Sequence, residues 1–102
     1  VAKDMHRGAK FRAKRDNLPF DITVEDILKL IGDGVCPVLG IRYNITSSKI
    51  VDASANLDKF IPSKGYTRDN CTVLSRLANG IKSNATAEQI YKVADWVKQK
   101  SK

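Results

Sequence analysis

The stretch Leu57-Asp58-Lys59-Phe60-Ile61-Pro62-Ser63-Lys64-Gly65-Tyr66, followed by Asn70-Cys71-Thr72-Val73-Leu74-Ser75-Arg76-Leu77-Ala78-Asn79-Gly80-Ile81-Lys82, constrains this chain more than any other feature. Ala55-Asn56-Leu57-Asp58 and Cys71-Thr72-Val73-Leu74 read as the two arms of a hairpin. Gly65 lies in the connection, where it suits a backbone position with positive φ. Ser75 can cap a short helix running through Lys82. A carboxylate at a strand end, a Gly-Tyr turn, a second strand and a helix carrying an amide and a lysine therefore follow one another in fixed order.

Around this unit the pattern is helical. Asp4 to Asn17 consists mostly of good helix formers interrupted by Gly8. Leu18-Pro19-Phe20 is extended, because proline disfavours the α conformation in the residue before it. Thr23 can cap a second helix in which Val24, Ile27, Leu28 and Ile31 share a face, ended by Gly32 and Gly34. Cys36 to Gly40 reads as a tight apolar turn, and Ile41-Arg42-Tyr43 and Lys49-Ile50-Val51 as short strands flanking the polar stretch Asn44 to Ser48. Thr86-Ala87-Glu88-Gln89 is a capping box opening a last helix, with Ile90, Val93 and Val97 expected to face inward beside Trp96. Trp96 and Tyr91 read as core residues, and His6 as a surface residue of the first helix.

The expected architecture is α+β in a single domain, 1–102: a basic N-terminal helix or arm over 1–17, the hairpin-and-helix finger over 36–83, and a C-terminal helix over 86–100. No apolar run reaches the roughly 20 residues of a membrane helix, and no signal-peptide pattern opens the chain, so no membrane partner and a cytoplasmic location are expected. The formal net charge is +7, and Lys3, Arg7, Lys10, Arg12, Lys14 and Arg15 crowd one segment against only Asp4 and Asp16. Such an arm attracts polyanions, with salt-dependent binding; a solvated helix face is the plainer reading. Two cysteines, Cys36 and Cys71, are too few for a four-thiolate zinc site and read as buried free thiols.

These residues resemble the HNH nucleases of the ββα-metal, or His-Me finger, superfamily. That family's pattern reads Asp-His-x-x-Pro, a Gly-rich turn, then Asn-Leu-x-x-Leu-Cys-x-x-Cys-His/Asn-x-x-Lys. Asp58 stands for the Asp, Pro62 for the Pro, Gly65 for the turn glycine, Asn70 for the middle Asn, Asn79 for the final His/Asn and Lys82 for the trailing lysine. Lys59 stands where the catalytic His would be. Cys36 keeps the first place of the zinc knuckle, whereas Leu39, Ser75 and Ala78 replace its other ligands, so the knuckle is degenerate and no zinc is expected. Arg12 to Thr23 and Lys82 to Thr86 also look like small phage-encoded members, and the likeness runs from about Lys10 to Trp96.

The resemblance implies a ββα-metal finger and a metal-dependent DNA endonuclease that hydrolyses phosphodiester bonds. Asp58 and Asn79 would supply oxygen ligands to one Mg²⁺ or Mn²⁺, with Lys59 beside them in the catalytic set. Lys10, Arg12, Lys14, Arg15, Arg68, Arg76 and Lys82 are the candidate contacts to DNA, and Asn70, Gly65 and Cys36 are structural. Protonated near neutral pH, a lysine at position 59 is a poor general base. A nuclease-derived DNA-binding module that has lost cleavage, and a phage protein that binds a host protein, are therefore the alternatives. In a phage the location would be the host cytoplasm, and a homodimer is left open. Against these roles, Asp58 could cap a turn, Asn79 could bond a loop, and Asn70 could brace the hairpin connection.

Overall fold

The computed structural model describes residues 1–45 and 49–101. Helix α1 spans Ala2–Asp16 and closes with Asn17 in the left-handed conformation (φ 56°), where Leu18 N–H donates to Ala13 O at 2.8 Å. Helix α2, Val24–Ile31, opens on a capping box: Thr23 Oγ1 accepts from Asp26 N–H (3.1 Å), and the Asp26 carboxylate accepts from Thr23 N–H (3.0 Å). Such a cap stabilises a helix by about 1 kcal/mol. Strands β1, Ala55–Lys59, and β2, Cys71–Ser75, pair antiparallel with Asp58 opposite Thr72 and Leu57 opposite Val73. Helix α3, Arg76–Lys82, follows β2 directly, and helix α4, Ala87–Lys100, follows a short turn. Among the described residues this is an α+β fold of four helices and one two-stranded sheet.

The core lies where α1, α2 and the sheet meet. Ala9 and Ala13 are buried on α1, Ile27 on α2 and Val73 and Leu74 on β2. Small residues on α1 let its backbone approach closely, while burial of Ile22, Ile27 and Val73 contributes about 1.5–3 kcal/mol each. Tyr43, also buried, donates its hydroxyl to Val73 O at 3.0 Å.

The connection between β1 and β2 is held from inside. Asn70 is buried; its Oδ1 accepts from Ile61 N–H (3.0 Å), and its Nδ2 donates to Ile61 O (2.9 Å) and Gly65 O (2.8 Å). One side chain thus satisfies three backbone groups of the turn. Gly65 has φ 73° and ψ −161°, a region that residues with a Cβ avoid. Beyond it, Tyr66 N–H donates to Pro19 O (2.9 Å), and Tyr66 O accepts from Asp21 N–H (3.0 Å) and Ile22 N–H (3.3 Å). The extended 19–22 segment is thereby stitched to the hairpin, which fixes α1 over β1.

Two expectations are corrected. Neither 41–43 nor 49–51 forms a strand; Arg42 makes an isolated bridge to Val35, through Cys36 N–H to Ile41 O and Tyr43 N–H to Gly34 O (both 2.8 Å), and the turn closed by Gly40 N–H to Cys36 O stops the ladder on one side. The middle of the polar stretch, 46–48, lies outside the described residues. Nor does α4 bury its apolar face: Val93 is 61% exposed, Trp96 60% and Val97 47%, with Tyr91 also exposed. No residue of α4 is buried and only Ile90 of its expected inward face is half-buried, so among the described residues packing does not cover its amphipathic face.

Cys36 and Cys71 are buried free thiols whose titrations oppose one another. Burial pushes the Cys36 thiol up, but hydrogen bonds from the Leu39 amide, the Ser75 hydroxyl and amide and the Val38 amide outweigh it and hold the group down to about 7. Burial, aided by Asp58 and Asp21, pushes Cys71 up to about 11. A depressed thiol favours the folded state above its unfolded value of 9.0, and loses that contribution as pH falls through about 7. A raised thiol contributes below 9.0 and loses its contribution as pH rises through about 11. We therefore expect stability to rise from pH 7 to a maximum near 9 and then fall, by about 2 kcal/mol on each limb. Denaturant melts across this range check it: Cys36→Ala should flatten the rising limb and Cys71→Ala the falling one.

Candidate active site

A cavity of about 580 Å³ opens between α1 and β1. Asp4, Met5, Gly8 and Arg12 form one wall, and all five residues of β1 form the other; Tyr66 and Asn79 complete the lining. The α1 positions recur at the spacing of one helical face. Asp58, Lys59, Asn79 and Arg12, drawn from three separate elements, are thus brought to one place.

Asp58 owes its position to the hairpin register, which sets it opposite Thr72 near the end of β1. Its side chain is largely buried, and Oδ2 accepts no hydrogen bond among the described residues. Lys82 Nζ stands 3.2 Å from that oxygen, an ion pair whose alignment falls outside hydrogen-bond geometry. Lys82 also lies 5.5 Å from the centroid of the Phe60 ring and donates to Ser83 O at 3.3 Å. A buried carboxylate oxygen without a hydrogen bond is costly unless another group uses it.

Asn79 is carried by α3, whose first turn is anchored three times. Ser75 Oγ accepts from Ala78 N–H (3.1 Å), Arg76 N–H donates to Ser54 O (2.7 Å) and Leu77 N–H to Asp52 O (3.0 Å). Asn79 and Asn56 also line a second cavity of about 570 Å³, together with Asp52, Arg76 and Ser83. Two hard oxygen donors, the Asp58 carboxylate and the Asn79 amide, fit a Mg²⁺-type cation that keeps water in its remaining places. Among the described residues, no three His, Cys, Asp or Glu side chains group to hold a metal unaided.

Tyr66 is the residue that sequence reasoning passed over. It is buried, its hydroxyl accepts from Arg12 Nε at 2.8 Å, and Lys59 Nζ lies 4.9 Å from its ring centroid. Its place after the turn glycine was the available signal, yet an aromatic there reads equally well as core.

The other cationic candidates disperse. Arg68 Nε pairs with Asp26 Oδ2 at 3.1 Å, and its backbone N–H donates to Asp21 Oδ1 at 2.7 Å, so it ties the hairpin loop to α2 instead of lining the cavity. The Thr23 amide and then the Arg68 guanidinium hold the Asp26 carboxyl below its ordinary value. Arg76 pairs with Asp52 at 3.6 Å beside the second cavity. Arg15 pairs with Asp16, while Lys10 and Lys14 are exposed on α1. No helix among the described residues is long and apolar enough to cross a membrane. No family model matches this chain, and comparison with curated proteins and with solved structures gives no match either.

Proposed function

We propose that this chain is a ββα-metal endonuclease of HNH type that hydrolyses phosphodiester bonds of DNA with Mg²⁺ or Mn²⁺. The observation that carries the reading is the buried Asp58 Oδ2, without a hydrogen bond and lining one cavity with Asn79 at the junction of hairpin and helix. A bound divalent cation would supply charge stabilisation to the phosphate in the transition state. Asp58 and Asn79 would hold it. Lys82, already 3.2 Å from Asp58 Oδ2, would move its ammonium toward a phosphate oxygen when the carboxylate is engaged elsewhere. A Lys59 ammonium has three hydrogen-bond donors and no acceptor, so it would bind an oxyanion and not take a proton from water. The attacking water then loses its proton to solvent, and the rate should rise with pH.

The Lys82–Asp58 pair also favours the second reading, a DNA-binding module without cleavage, since the lysine neutralises the carboxylate that a cation would need. Incubating supercoiled plasmid with Mg²⁺, with Mn²⁺ and with chelator separates the two. Nicking or linearisation that needs the metal and disappears with chelator is the expected result. Salt-sensitive DNA binding with no cleavage under any metal would select the second reading, and the absence of both would refute a nucleic-acid role.

A further inference from the structure

Two cations line the same cavity as Asp58: Arg12 from α1 and Lys59 from β1, next to Asp58 in sequence. Arg12 and Lys59 are both half-buried, and neither makes an ion pair among the described residues. Both converge on Tyr66: the Arg12 guanidinium carbon lies 5.4 Å and Lys59 Nζ 4.9 Å from the ring centroid. The tyrosine hydroxyl accepts from Arg12 Nε at 2.8 Å, which leaves the two terminal guanidinium nitrogens to face other partners. Gly8 completes the arrangement. A Cβ at that position would stand 3.0 Å from Arg12 Nη1, so the guanidinium lies over the gap that the missing side chain leaves. Glycine inside a helix is unfavourable relative to alanine, and here its position one turn before Arg12 gives the room that the guanidinium uses. The carboxylates on the same lining are engaged by other cations, Asp4 by Arg7 and Asp58 by Lys82, and Asp16, whose charge also acts on Lys59, pairs with Arg15.

The geometry points to a second anion subsite, in which Arg12 and Lys59 bind a phosphodiester of a DNA strand next to the one held at Asp58 and Asn79. It rests on the proposed reading of this cavity as a phosphodiester site. A guanidinium fork suits two oxygens of one phosphate, and an ammonium beside it takes a third contact as a point charge. Tyr66 is a positioning residue: pinned by the 19–22 segment, it orients Arg12 through its hydroxyl and carries Lys59 on its ring. Gly8 acts in the same way, by leaving space. The subsite explains why a lysine at position 59 is held on an aromatic face beside the cavity.

Binding of a short single-stranded DNA oligonucleotide, followed by fluorescence anisotropy in EDTA across a salt series, tests the subsite without any cleavage. Arg12→Ala should weaken binding about tenfold or more and lower the slope of log affinity on log salt by ~0.7, one phosphate on a single strand. Arg12→Lys should recover only part of this, because the fork is lost. Gly8→Ala should weaken binding while raising the melting temperature, a combination that a merely structural glycine would not give. Tyr66→Phe should weaken binding in the wild-type background but not in Arg12→Ala, the mark of action through Arg12. Lys29→Ala removes an exposed charge from α2 and should leave affinity and slope unchanged. Equal losses from Lys29→Ala and Arg12→Ala would mean diffuse attraction and overturn the subsite, as would absence of wild-type binding. Binding lost in Arg12→Ala but kept in Asp58→Ala supports the subsite whether or not the plasmid is cut. Cleavage intact with Arg12→Ala binding unchanged refutes the subsite alone.

Discussion

Asp58→Ala should abolish metal-dependent cleavage, by about 10³-fold or more, because several kcal/mol of transition-state stabilisation depend on the cation it holds. The carboxylate is largely buried, and Oδ2 has no hydrogen bond to lose, so the fold gives up only the ion pair with Lys82 at 3.2 Å. Thermal melts should therefore show a folded variant, and single-stranded DNA binding in chelator should persist or strengthen as a negative charge leaves the cavity. Asp58→Asn tests the charge at constant shape and should be equally inactive. Lys59→His supplies a nitrogen that can accept a proton and should raise the rate and shift its pH dependence toward the titration of an imidazole. Robust cleavage that survives Asp58→Ala would place the active site elsewhere on the molecule.

Gly65→Ala should have the largest effect on folding, about 3 kcal/mol or more out of a total typically 5–15. Its φ of 73° with ψ of −161° is a conformation open in practice only to glycine. A Cβ there would also come within 2.4 Å of Pro19 O and 2.9 Å of Pro19 N, and neither backbone atom can swing aside. Pro19 O accepts the Tyr66 amide, so the clash falls on the contact that docks the N-terminal segment onto the hairpin. Urea unfolding followed by circular dichroism measures the loss, and a midpoint unchanged within error would show that this contact is dispensable. Arg12 is held through the same stitch, so any folded fraction should also bind DNA less tightly.

Local chemistry made much of the fold legible. The Thr23 cap, the capping box at Thr86, the hairpin arms around Asp58 and Thr72, and the Ser75 cap of α3 each rest on contacts within a few residues, and each is found where its pattern lies. The same patterns overreached at 41–43, where the residues looked strand-like but pairing is confined to one bridge between Val35 and Arg42 beside a tight turn. They overreached again on α4, because a helical stripe specifies an amphipathic face without saying what covers it; here Val93, Trp96 and Val97 stay exposed.

The candidate site divides along the same line. The family resemblance joined Asp58 to Asn79, and both line one cavity because they belong to one contiguous hairpin-and-helix unit whose geometry is set by local hydrogen bonds. No spacing could announce that Arg12 would reach Tyr66, 54 residues away, or that Gly8 would lie open beneath it. That juxtaposition depends on Pro19 and Tyr66 pairing across the hairpin, a long-range backbone contact with no local signature. Tertiary packing likewise sent Arg68 to Asp26 and left Arg12 lining the cavity, although in sequence both were simply positive. Residue types set which groups are chemically able to act, and the packing of α1 against β1 selects those that meet, because charge carries no direction until the backbone fixes where it points.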